Sequence, residues 1–140
     1  MATATYDTEM IRTLSMFESM TDVEARDCMM KENEAYFIVP EGKAGMAIGK
    51  GGKVVKKVQN QLGKDVKIFE YKDNLGAFVN NLISVDIRSL DIQETENGKT
   101  VEVNVSNDNK GRLVGKDGDN IDSIRDILKR THNVNQVTVK

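Results

Sequence analysis

Two short segments carry the residues best suited to chemistry: Ile48-Gly49-Lys50-Gly51-Gly52-Lys53 and Val114-Gly115-Lys116-Asp117-Gly118-Asp119. Each sets two glycines three positions apart, with an apolar residue before the pair and a lysine inside it. A turn of this kind leading into a helix presents backbone N–H groups at the positive end of the helix dipole, where phosphate binds. Glycine lacks the Cβ that would hold a phosphate chain away, and it enters φ ranges other residues avoid. Lys50 and Lys116 place positive charge beside that chain. One such pair carries little weight among 11 glycines. Recurrence carries more. Gly45–Val55 lines up with Gly111–Ile121 without a gap, and the same offset places Phe37 and Val39 on Val103 and Val105, and Val58 and Leu62 on Ile124 and Leu128. A duplication of one strand–loop–helix unit is the reading, since the offset exceeds the periods of short solenoid repeats, roughly 20–50 residues.

The charge is partitioned. The net charge of -2 lacks the basic excess of a generic nucleic-acid binder. Residues 1–34 hold eight acids against three bases, whereas residues 43–67 hold seven lysines against Asp65 alone. A local field of that sign holds a phosphate chain while the remaining surface stays acidic.

Other chemistries fit poorly. Ala44–Gly51 approaches the nucleotide-binding G-x-x-x-x-G-K-[ST], but Ala44 replaces the first glycine and Gly51 removes the hydroxyl that holds magnesium. One histidine and one cysteine, in different repeats, are too few donors for a zinc site. The same scarcity leaves no Cys–His or Ser–His pair. No enzymatic activity, cofactor or metal is expected. Cys28 reads as a small buried hydrophobe in a cytosolic chain, and His132 as an exposed residue ahead of the last strand. Apolar runs stay far below the ~18 residues of a membrane span, and the start MATATYDTEM does not read as a secretory signal.

Periodicity supplies the elements that must position the loops. Ile11, Leu14, Phe17 and Met20 predict a helix over about 7–20. Strands are expected at Val23–Lys31 and Ala35–Val39, the second ended by Pro40. A short helix near 43–48, the Gly49–Gly52 loop and a helix over about 53–62 follow. That last helix has an apolar stripe of Val54, Val55, Val58 and Leu62, with Gly63 at its end. Val66–Tyr71 closes the first copy. In the second, Asn74 caps a helix carrying Leu75, Phe78, Val79 and Leu82. Strands are expected over about 84–94, ahead of a Glu96-Asn97-Gly98-Lys99 turn, and at Thr100–Val105. Helices near 108–114 and 119–130 flank the Gly115–Gly118 loop, and Val134–Val139 closes the unit. No flexible linker separates the copies, so they are expected to dock rigidly.

Both loops resemble the signature of KH domains, apolar-G-x-x-G-x-x-apolar between two helices, and the element order resembles the type II KH topology. The two copies together resemble the KH pair of the NusA transcription factors, and the short chain resembles their archaeal form, over about residues 7–140. The resemblance implies an α+β fold of two tandem type II KH domains, at residues 1–72 and 73–140. Each is a three-stranded sheet with helices on one face. It implies single-stranded RNA as ligand, about four nucleotides per loop. The residues gripping it would be Ile48, Gly49, Lys50, Gly51, Gly52, Lys53 and Lys56, then Arg112, Val114, Gly115, Lys116, Asp117 and Gly118. Ile48, Val55, Val114 and Ile121 would anchor the helices and floor a groove. Bases would lie toward the strands at 66–71 and 134–139, read by hydrogen bonds, because no aromatic residue sits in either loop. The implied setting is the nascent transcript during elongation and termination in the cytoplasm, with RNA polymerase or another transcription factor as a candidate partner. No membrane or small-molecule substrate is implied. The second loop, with Asp117 inside and Asp119, Asp122 and Asp126 following, is expected to bind more weakly. The rival reading is a KH scaffold that docks a protein through the acidic face at 7–34; ribosome assembly and RNA decay are the other RNA processes open to such a fold.

Overall fold

The computed structural model describes residues 8–140. The expected first position of the first helix, Asp7, lies outside the described residues. The chain forms two compact units that part between Asp73 and Asn74. The first runs α1 (Thr8–Thr21), β1 (Asp27–Met30), β2 (Glu34–Val39), α2 (Ala44–Ile48), α3 (Lys53–Leu62) and β3 (Asp65–Glu70). The second runs α4 (Leu75–Leu82), β4 (Ser89–Thr95), β5 (Gly98–Asn104), α5 (Asn107–Val114), α6 (Asp119–His132) and β6 (Val134–Val139). Each unit is therefore α-β-β-α-α-β with one three-stranded sheet, ordered β1-β2-β3 or β4-β5-β6. The first two strands form an antiparallel hairpin, and the central strand pairs parallel to the last. A parallel pair needs a long crossover, and the α2–α3 and α5–α6 pairs supply it. The glycine loops lie at the bends of those crossovers.

The core of the first unit gathers Phe17 of α1, Phe37 and Val39 of β2, Ala47 of α2 and Val58 of α3, all fully buried. The Phe17 and Phe37 rings stack at 4.1 Å. The buried side of α1 is Thr13, Phe17 and Thr21, flanked by half-buried Met10, Leu14 and Met20. Ile11 is 53% exposed, contrary to expectation. A three-residue recurrence drifts around a 3.6-residue helix, so Ile11 rotates out and Thr13 rotates in. Thr13 is accommodated because its hydroxyl donates to the Glu9 carbonyl at 2.9 Å. Thr21 donates to Phe17 O at 2.8 Å and accepts from the Val23 N–H at 3.1 Å.

That local bonding also shortens the expected strand. Residues 22–26 are not in β1: Asp22 sits at φ 62° and its N–H closes on Glu18 O, which ends the helix and commits the following backbone to a bend. The second unit repeats the difference, with β4 starting only at Ser89. The hairpin turn there is Glu96-Asn97, and Gly98 begins β5 at φ 124°. A Cβ on Gly98 would lie 2.9 Å from Asn133 O, so that glycine serves a close approach rather than the turn itself.

β5 follows simple alternation, with Val101 and Val103 buried. β2 is buried from Ala35 to Val39. Its second face carries Tyr36, which meets Phe69 edge-on at 5.5 Å and lies 5.0 Å below Lys31 Nζ. α6 runs past its expected end to His132, and Asn133 (φ 57°, ψ 41°) takes the left-handed position that Gly63 (φ 66°, ψ 30°) takes after α3. The longer helix turns His132 inward. It is 8% exposed, its ring 4.9 Å from that of Phe78, and Nδ1 lies 2.9 Å from Thr131 Oγ1. His132 is thus a core residue one turn beyond Leu128, not an exposed one. Cys28 is buried as expected. Among the described residues, no helix is long and apolar enough to cross a membrane.

Thr21→Val keeps the shape of the side chain but strips the buried Val23 N–H of its acceptor. Urea unfolding should show a loss of about 1–3 kcal/mol, largely restored by Thr21→Ser.

Candidate nucleic-acid interface

The two loops have the same backbone. Gly49 lies at φ 78°, ψ 166° and Gly115 at φ 78°, ψ 175°. Lys50–Gly52 and Lys116–Gly118 then form single 3-10 turns, closed by Gly52 N–H on Gly49 O and Gly118 N–H on Gly115 O. Gly51 (φ 65°, ψ 19°) and Asp117 (φ 56°, ψ 25°) occupy the same left-handed slot. Aspartate is one of the few residues that tolerates that conformation. α3 and α6 start directly after Gly52 and Gly118.

The first glycine of each pair is required on two counts. Positive φ combined with so extended a ψ is a region essentially closed to residues with a Cβ. A Cβ there would also sit 2.9 Å from the backbone N of Val54 (at Gly49) or of Asn120 (at Gly115). The helix backbone is thus pressed against the glycine, and Asn120 strengthens the second bend by donating from Nδ2 to Leu113 O at 2.7 Å. Around Gly51, in contrast, a Cβ would meet open space.

Of the residues expected to floor the groove, Ile121 is buried, and Val55 and Val114 are half-buried. Ile48 is 38% exposed. The short helices are anchored one position earlier, by fully buried Ala47 and Leu113, which occupy equivalent positions in the two copies. Ile48 lies at the free end of a five-residue helix, where the bend at Gly49 turns it outward. In the second unit an open groove of ≈ 580 Å³ runs between α6 and β6, from Val114 and Gly118 at the loop past Ile121 and Arg125 to Val137 and Val139.

Charge follows the same line. Lys50, Lys53, Lys56 and Lys57 are all exposed on the first loop and α3. In the second unit exposed Arg112 and Lys116 stand with exposed Asp117, Asp119 and Asp122, and Arg125 Nη1 lies 3.2 Å from Asp122 Oδ1. Three positioning contacts escaped the sequence reading. Glu70 Oε2, at the end of β3, accepts from the Ala44 N–H at 3.0 Å and so caps the helix that leads into the first loop. The amides of Gly42 and Ala44 hold its carboxyl below the ordinary glutamate range. Gln59 on α3 accepts from the Val66 N–H, and Arg125 on α6 donates to the Val137 carbonyl. Gln59 and Arg125 share the repeat offset, which was the one signal available for them.

The sequence matches a family model for the KH domain over residues 11–97 and one for the KH domain of KhpA/KhpB over residues 72–140. A Methanocaldococcus jannaschii protein named probable transcription termination protein NusA is 34% identical over 99% of this chain and 76% of its own length. The protein of that name from Methanococcus vannielii is 32% identical over 95% of this chain and 78% of its own. The one from Thermoplasma acidophilum is 27% identical over 97% and 95%. A solved structure described as "Crystal structure of APE1850" superposes with a TM-score of 0.78 at 37% identity, covering 96% of this chain and 99% of that one.

Gly49→Ala and Gly115→Ala should each destabilise by about 1–3 kcal/mol, and Gly51→Ala by about 1 kcal/mol, as read from urea midpoints. Glu70 stabilises the fold most fully when ionised. That contribution should hold above the ordinary carboxylate range, decline as the pH falls through it, and vanish below the depressed folded value. A carbon-detected titration of Glu70 should give a value below that of an unstructured glutamate, and Glu70→Gln should remove this part of the acid dependence of stability.

Proposed function

The chain belongs to the KH-domain family and, within it, to the relatives named probable transcription termination protein NusA; on that premise we propose that it binds single-stranded RNA and acts on transcription elongation and termination. The binding calls for no covalent chemistry and no cofactor. The observation that carries it is the loop backbone, built twice with nearly the same dihedral angles although one sequence has glycine and the other aspartate at the central position. In this reading a phosphate chain passes over Gly49–Gly52, with Lys50, Lys53 and Lys56 neutralising it and Ile48 beside it. A second passes over Gly115–Gly118, with Val114, Arg112 and Lys116 about it. The ligand would be the nascent transcript in the cytoplasm, and RNA polymerase or another transcription factor a protein partner.

The first loop should bind more tightly. Asp117 and Asp119 repel phosphate at the second loop, and exposed charges of this kind alter binding by up to about 1 kcal/mol. Gly51→Asp should therefore weaken RNA binding more than Gly118→Asp does.

RNA oligomers at low ionic strength should shift the amide resonances of Gly49–Gly52. The logarithm of affinity should fall linearly with that of salt, and Lys50→Ala should reduce the slope by about 0.7. A flat salt dependence together with indifference to Lys50→Glu would instead mark the fold as a protein-docking scaffold.

A further inference from the structure

Away from the loop, the groove of the second unit is lined by two opposite charges, Asp126 and Lys129 of α6, both exposed. They stand three positions apart and so share one helix face. Among the described residues neither is held in an ion pair, whereas Asp122, one turn nearer the loop, meets Arg125 at 3.2 Å. The first unit has neither charge. The repeat offset sets Asn60 against Asp126 and Gly63 against Lys129. α3 stops at Leu62, while α6 runs on to His132 and so carries Lys129 within the helix.

A carboxylate is an unfavourable neighbour for a phosphate chain, but Asp126 stands clear of the loop. Eight residues of helix put it about 12 Å along α6 from Gly118, beyond the screening length of about 8–10 Å at physiological salt. In the groove it faces the place of a base. An ionised carboxylate only accepts hydrogen bonds, and an ammonium only donates them. On the Watson–Crick edge, which a single strand leaves open, guanine alone of the four RNA bases sets two donors side by side, N1–H and N2–H, with the acceptor O6 next to them. Adenine and cytosine each set one amine beside a ring-nitrogen acceptor, and uracil sets N3–H between two carbonyl oxygens. A carboxylate bonded to one donor of those three turns its second oxygen toward a lone pair.

Resting on single-stranded RNA as the ligand, we propose that Asp126 and Lys129 make the groove of the second unit select guanine, a preference the first unit lacks. The two carboxylate oxygens of Asp126 accept from N1–H and N2–H, and Lys129 donates to O6. Arg125 stays with Val137 O and Asp122. Asn60, at the equivalent place in the first unit, carries both a donor and an acceptor and so accommodates any base. A bidentate pair of this kind corresponds to a preference of about ten-fold.

The full chain, isotope-labelled, is titrated separately with short oligouridylates that carry guanosine, inosine, adenosine or uridine at the centre. Inosine differs from guanosine only in lacking the N2 amine. The Asp126, Lys129 and Val137 amides should reach half-shift at about ten-fold lower concentration of the guanosine oligomer than of the other three. The Gly49–Gly52 amides should respond to all four alike. Asp126→Asn should erase the preference for guanosine over inosine without weakening binding of the all-uridine oligomer, an outcome that loss of structure would not give. The unmodified chain reports the ranking whether or not that variant folds. If the oligomers move both loops but the second unit ranks guanosine with inosine, or the first unit ranks the four as the second does, the assignment is overturned and RNA binding stands. If no oligomer moves any loop resonance, RNA binding falls and the assignment with it.

Discussion

Everything at the two loops depends on a hydrogen atom standing where a Cβ would. At Gly49 and Gly115 the helix that follows is pressed so close that its backbone nitrogen, from Val54 or Asn120, would lie 2.9 Å from a side-chain carbon. The φ of 78° at both positions disfavours other residues independently of that contact. This bend turns the short helix into the long one within a single 3-10 turn, aims the turn outward, and starts α3 and α6 where a polyanion can reach their first residues. The lysines add strength to a shape that is already set by the backbone.

The shape is held from both sides. Ala47 and Leu113 tie the short helices to their cores, and Glu70 adds a carboxylate cap at the start of α2. Both cores rest on the central strand, β2 or β5, whose parallel pairing with the last strand requires the helix–turn–helix crossover in the first place. A loop at the bend of an obligatory crossover is held in place because the parallel pairing cannot form without that crossover. Charge is separated along the first unit: the acids gather on α1 and the segment after it, and the lysines run from Lys43 through the loop and α3 to Lys67.

The two copies have diverged in ways that keep the loop and change its surroundings. The first hairpin pairs Asp27–Met30 with Ala35–Ile38, while the second extends from Ser89↔Asn104 to Thr95↔Gly98. α6 is a turn longer than α3, and the added turn brings His132 against Phe78. Around the loops, one central position holds glycine and its equivalent aspartate, and the contact from the long helix to the last strand is made by glutamine in one copy and arginine in the other. The backbone tolerates both differences because Asp117 adopts the left-handed slot and because the edge of a strand offers both a donor and an acceptor.

The sequence by itself determined the duplication, the order of elements and the position of both loops, because these rest on local rules. Glycine spacing, helical and strand periods, Pro40, and the caps at Gly63 and Asn74 all act over a few residues. Where the reading was too long, at 23–26 and 84–88, helix-ending bonds such as Asp22 N–H to Glu18 O competed with strand pairing, and hydropathy alone does not rank them. Only the tertiary structure decided that Ala47 rather than Ile48 faces the core, that Thr13 displaces Ile11, and that His132 is buried. It also decided that Gln59 and Arg125 reach opposite halves of equivalent peptides. Each of these depends on which partner a side chain meets across the fold, and the pattern along one chain does not carry that partner's identity.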